Sequence, residues 1–229
     1  MKNFSTSLLL FLVGWIHQPV INAQTQALDI IICNTENLIP LATQFDVQLF
    51  QGKESLHVTG PAGGSDVRFV KIKDLDFGNG TIELEVAGIP GPGANATARG
   101  FIGLAFRIND DNSAFECIYL RPTNGRAEDQ LRRNHSVQYI SYPDYPWQKL
   151  RAETPGMYES YADMVPGEWI RLRIEVKQER AWLYLHGYEQ PVLIINDLKL
   201  GPGSRGGIGL WIGPGTDGYF TGLKVRKDD

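Results

Sequence analysis

Ile170-Arg-Leu-Arg-Ile-Glu-Val-Lys177 alternates without a fault: Ile170, Leu172, Ile174 and Val176 are apolar, and Arg171, Arg173, Glu175 and Lys177 between them are charged. A period of two sends successive side chains to opposite faces, so the stretch reads as an antiparallel strand with one face in a core and one in water. The pattern recurs outward in both directions. Upstream, Ile82, Leu84 and Val86 alternate within Thr81–Val86. Ile102, Leu104, Phe106 and Ile108 do the same before the turn-like Asn109-Asp110-Asp111-Asn112. In the following run Glu116, Ile118 and Leu120 share one face. Downstream come Ala181–Leu185, Val192–Ile195, the Ile208, Leu210, Ile212 series and a closing run over Phe220–Val225.

Turn chemistry separates these runs: Gly78-Asn-Gly80, Pro90-Gly-Pro-Gly93, Pro166-Gly167, Gly201-Pro-Gly203 and Gly213-Pro-Gly215. The 25 glycines and 13 prolines of the 229 residues are spread along the chain as punctuation. Helical periodicity longer than two turns is absent from the pattern. Many short strands with regular turns predict an all-β fold, a two-sheet antiparallel jelly-roll sandwich. With 42% hydrophobic and 21% charged residues the chain is neither disordered nor collagen-like. No composition shift marks a second domain.

The N-terminus reads as an address. Lys2, the apolar stretch Leu8–Ile16 and the small-residue site Ile21-Asn-Ala23 predict a signal peptide over residues 1–23. Residues 24–229 are then one sandwich domain, and the product is secreted or periplasmic. The apolar stretch is shorter than the ~20 residues a spanning helix needs, and no later run is long enough, so no membrane span is expected. A net charge of −4 makes nucleic acid an unsuitable partner. In an oxidising compartment Cys33 and Cys117 could pair, although Cys117 falls inside an apparent strand. Two cysteines and histidines without ligand spacing predict no metal and no cofactor. Calcium is the one alternative, because Asp110, Asp111 and Asn112 offer oxygen ligands in a turn, though without EF-hand spacing.

Residues 121–164 break the rhythm. They are polar, aromatic and irregular, with only Ser136–Tyr142 suggesting a strand. A connection of this length on a rigid sandwich is long enough to be functional, and its tyrosines and tryptophans argue against disorder. It is predicted to be a site-forming loop excursion. It holds Arg121, Asn124, Arg126, Arg132, Arg133, His135, Gln138, Tyr139 and Trp147. His135 is the natural acid/base candidate near neutral pH.

Alternation also assigns faces. With Ile102, Leu104 and Phe106 inward, the opposite face shows Gly103, Ala105 and Arg107; with Ile118 and Leu120 inward, it shows Cys117, Tyr119 and Arg121. The small residues leave room above a sheet face on which arginine and tyrosine donate to hydroxyls and carboxylates. Trp211, opposite Leu210 and Ile212, could stack on a sugar ring. Glu83 and Glu85 occupy the polar face of their own strand. Their i, i+2 spacing of ~6.5–7 Å is compatible with the carboxylate pair of a glycoside hydrolase. It suits a solvated strand face equally well.

The second half of the chain carries a family pattern. It runs from Pro166-Gly-Glu-Trp169 and Ala181-Trp-Leu-Tyr-Leu185 through Gly206-Gly-Ile-Gly-Leu210 to Gly218-Tyr-Phe-Thr-Gly-Leu-Lys-Val225. Over roughly residues 45–226 the chain resembles the concanavalin A-like lectin/glucanase superfamily, and within it laminin-G-type domains and bacterial 3-keto-disaccharide hydrolase-like proteins. The Glu-x-Asp-x-x-Glu signature of laminarinase-type glucanases is absent. The resemblance implies an exported protein that binds an oligo- or polysaccharide on a concave sheet face. A glycoside hydrolase and a laminin-G-like protein-interaction domain are the alternatives. The substrate-binding candidates are Arg107, Tyr119, Arg121, Asn124, Arg126, Gln138, Tyr139 and Trp211. The catalytic candidates are Glu85, Glu83 and His135.

Overall fold

The alternating strands pair as their patterns require. The computed structural model describes residues 27–228; the expected signal peptide over residues 1–23 lies outside them. In chain order the strands are β1 (Leu28–Ile30), β2 (Leu38–Leu41), β3 (Gln44–Phe50), β4 (Lys53–Thr59) and β5 (Phe69–Ile72). Next come β6 (Gly80–Pro90), β7 (Ile102–Ile108), β8 (Phe115–Leu120), β9 (Val137–Tyr142) and β10 (Glu159–Ser160). The last are β11 (Ile170–Lys177), β12 (Arg180–Leu185), β13 (Leu193–Ile195), β14 (Gly207–Ile212) and β15 (Thr216–Lys227). Two short helices, α1 (Gln130–Asn134) and α2 (Trp147–Glu153), flank β9.

The strands form two antiparallel sheets. The 8-stranded sheet runs β13-β12-β11-β6-β15-β4-β3, with β1 also on β15, and the 7-stranded sheet runs β10-β9-β8-β7-β14-β5-β2. The core lies between them. In β11 and β6, Ile170, Leu172 and Ile174 lie across from Val86, Leu84 and Ile82. In β7 and β8, Ile102 and Leu104 lie across from Leu120 and Ile118. All of these are buried, each contributing on the order of 1.5–3 kcal/mol. The expected two-sheet sandwich is therefore present.

The 121–164 segment is more regular than its sequence suggests. β9 pairs along its length with β8, and β10 continues outward from β9, so the excursion adds two strands to the sheet and carries α1 and α2 beside them. Cys33 and Cys117 are unpaired. Cys33 follows β1 and sits near Glu54 of the 8-stranded sheet, whereas Cys117 is buried in β8 of the other sheet. The sandwich separates the two thiols.

Candidate functional site

Gly103 sets the floor of the site. On the outer face of the 7-stranded sheet, Trp211, Gly103, Tyr119 and Gln138 form one row across β14, β7, β8 and β9. A Cβ at Gly103 would stand 2.7 Å from that of Tyr119. Its absence lets the Tyr119 and Trp211 rings meet, with centroids 4.7 Å apart. Trp211 Nε1 donates to the Asp66 carbonyl at 2.8 Å, which fixes the indole. Burial pushes the Tyr119 phenol up to about 12, so it stays protonated at any physiological pH.

Arg121 stands where β8 ends. Its guanidinium donates to Tyr119 Oη at 2.9 Å, to Gln138 Oε1 at 3.1 Å and to the His135 carbonyl at 3.0 Å. It lies 5.1 Å from the Tyr119 ring centroid and 5.9 Å from that of Trp147. Asn124, in the turn that follows, donates to the same His135 carbonyl at 3.1 Å and accepts from Arg132 Nε at 2.9 Å. Asp129 caps α1 by accepting from the Arg132 backbone N–H at 2.7 Å, which fixes the base of the Arg132 side chain.

α2 supplies the opposite wall. Trp147 and Arg151 are four residues apart on one helical face, and the guanidinium lies 4.6 Å over the indole. Arg151 Nε donates to Glu159 Oε1 at 2.7 Å, and the other oxygen of Glu159 meets His135 Nδ1. A carboxylate facing Nδ1 favours the neutral tautomer with its proton there and its lone pair on Nε2. Burial holds the His135 imidazole below its usual range; Glu159 opposes this, and Arg151 and Arg121 reinforce it. With Arg99 and the residues before it, these groups line a cleft of ≈ 1410 Å³.

Tyr119, Arg121, Asn124, His135 and Trp211 are thus gathered at one cleft, with Gln138 buried behind Arg121. The other candidates lie elsewhere. Tyr139 is across from Ile118, on the core side of β9, and its hydroxyl donates to the buried Glu116 at 2.6 Å. Arg126 is exposed and bonds Asp163 at 2.7 Å and 2.9 Å, outside the cleft lining.

Arg107 departs from strict alternation. It has φ +53° where the β7–β14 register shifts, and this bulge turns its side chain into the end of the sandwich. There it is 1% exposed and donates to the carbonyls of Gly78, Gly201 and Gln178. Glu83 and Glu85 belong to the other sheet. Their cross-strand neighbours are Arg173 and Arg171, and Glu85 accepts from Lys53 at 2.6 Å. The two glutamates and the cleft are on opposite outer faces of the sandwich, so no pocket joins them.

The Asp110–Asn112 turn is filled by its own chain. Asp111 accepts from the Ser113 backbone N–H at 3.0 Å, and Lys71 Nζ donates to Asn112 Oδ1 at 2.8 Å and to the Asn109 carbonyl at 3.2 Å. An ammonium in that position repels calcium. No group of three or more acidic, histidine or cysteine side chains with metal-binding geometry occurs among the described residues.

Arg99, Arg151 and Glu159 were not legible as site residues. The Trp147/Arg151 spacing on a helical face was the available signal, but it required recognising α2 inside an irregular stretch. Arg99 has no local signal, because a different segment brings it to the cleft.

No protein-family model matches the chain, and no curated protein does. Among solved structures it is similar to the carbohydrate binding module CBM66 from Bacillus subtilis, with 14% identity over 83% of this chain and 96% of that one, TM-score 0.57. It is also similar to a protein with a galectin-like fold from Bacillus subtilis, with 13% identity over 85% of this chain and 90% of that one, TM-score 0.51. At such identities the likeness defines a fold: this is a β-sandwich of the galectin-like kind. No helix among the described residues is long and apolar enough to cross a membrane.

Proposed function

We propose that the protein recognises a glycan in the cleft on the 7-stranded sheet and acts as an exported binding protein. One observation carries this reading. The cleft sets aromatic faces, with Trp147 half-buried and Tyr161 exposed, beside a row of arginine and amide donors. A sugar ring has an apolar face that stacks on such rings and a hydroxyl rim that takes up such donors. Drug-sized sites run to roughly 300–1,000 Å³, so a cleft of ≈ 1410 Å³ has room for several sugar units. The likeness to a structure described as a carbohydrate binding module supports the reading. So does the resemblance to concanavalin A-like lectins.

The test is calorimetry of the purified chain against a panel of oligosaccharides. At least one should bind, and Trp147→Ala should weaken it about tenfold or more. A panel without a single binder removes the reading and leaves the protein-interaction alternative in its place.

The His135–Glu159 pair favours a second reading, glycoside cleavage with His135 moving a proton. Mass spectrometry of the same mixtures decides it. Products that vanish in Glu159→Gln while binding persists would establish turnover.

A further inference from the structure

Three guanidiniums, those of Arg99, Arg121 and Arg132, share the cleft, and all of their hydrogen bonds among the described residues go to neutral acceptors. Arg121 bonds Tyr119 Oη, Gln138 Oε1 and the His135 carbonyl. Arg132 bonds Asn124 Oδ1 and both oxygens of Thr123. Arg99 bonds the carbonyls of Ala96 and Ala98, both through Nη1. Elsewhere in this chain the exposed Arg126 and Arg205 meet carboxylates, those of Asp163 and Asp76.

The three are close enough to repel one another. The Arg99 guanidinium is held below its usual range by burial and then by Arg132 and Arg121. Three carboxylates also line the cleft. Glu159 is matched by Arg151, and Asp66 faces Arg68. Asp129 alone remains opposite three cations, and it is engaged by a backbone N–H. Arginine carries five N–H donors. Nε and Nη2 of Arg99 and Nη1 of Arg132 have no partner among the described residues. Both side chains line the cleft.

We infer that the ligand is an anionic saccharide, one whose carboxylate or sulfate ester neutralises the Arg99–Arg121–Arg132 cluster. This rests on the reading of the cleft as a glycan site. A planar guanidinium matches the two oxygens of such a group and discriminates it from a hydroxyl, which offers one. The aromatic walls take the sugar face and the arginines take the charge. A neutral glycan would leave mutually repelling cations desolvated beneath it, which costs affinity.

The test compares binding of four probe sets to the full chain: uronate oligosaccharides, sulfated galactan oligosaccharides, neutral oligosaccharides that include methyl-esterified uronates, and poly-glutamate. An acidic set should bind at least tenfold more tightly than its neutral counterpart, with affinity falling as salt rises. Arg99→Gln and Arg132→Gln should each remove about tenfold of that preference without lowering the melting temperature appreciably. The uronate and sulfated arms tell which anion is read. Equal binding of acidic and esterified sugars, insensitive to salt, overturns the inference while the glycan reading stands. Binding of poly-glutamate without any saccharide overturns both, as does silence across all four sets.

Discussion

His135 shows how one contact can tie stability to pH. Its imidazole is held neutral by burial, so its folded-state pKa lies below that of the unfolded chain. Between the two values the unfolded state binds more protons, and stability falls as pH falls. The chain should therefore lose melting temperature as pH drops below about 6.5, the ordinary histidine value. His135→Gln should flatten that part of the profile. A parallel profile in the variant would assign the loss to another group. The buried Glu116 acts in the opposite sense. Burial raises its carboxyl, so its contribution to stability grows as pH falls from the raised value toward the ordinary carboxylate range.

Among the elements, the β7 bulge does most to separate structure from site. Arg107 ties the turn before β6, the turn between β11 and β12 and the loop before β14 by bonds of 2.7–3.1 Å. Arg107→Met would leave those carbonyls without their donor at a cost of about 3 kcal/mol or more. A thermal melt should show this as a loss of several degrees, with glycan affinity unchanged. Lost affinity at an unchanged melting temperature would return Arg107 to the binding residues.

The sheet edges invite a second test at this scale. β13, β10 and β2 are 3, 2 and 4 residues long, and β2 contains Pro40. β3 spans 7 residues without proline or lysine and exposes Val47 (40%) and Leu49 (77%). Long unguarded edges recruit other strands. Leu49→Lys should leave the fold intact and lower the association of the chain at high concentration. Sedimentation velocity would record that change, and identical profiles would show that β3 is not a contact edge.

For the whole molecule, what was legible follows from the range of each interaction. The strands of β6, β7, β8, β11 and β14, their inward faces and the all-β class could be read because alternation is a property of neighbours along the chain. The cleft was legible in part: Tyr119, Arg121 and Trp211 sit on polar or aromatic positions opposite core residues, as the pattern required. Glu83 and Glu85 obeyed the same pattern and still fell on the far side, since a period of two says which way a side chain points but not to which sheet its strand belongs. Tyr139 followed the rule as well, but its hydroxyl found a buried acceptor in Glu116. The sequence by itself determined the class of fold and the two faces of each strand, because those depend on local geometry and on keeping apolar groups from water. Only the tertiary structure decided which faces share a surface, that Arg107 turns inward, and that Arg99, Arg121 and Arg132 meet. Those outcomes depend on strand order, one bulge and the approach of segments more than twenty residues apart, for which a linear pattern carries no signal.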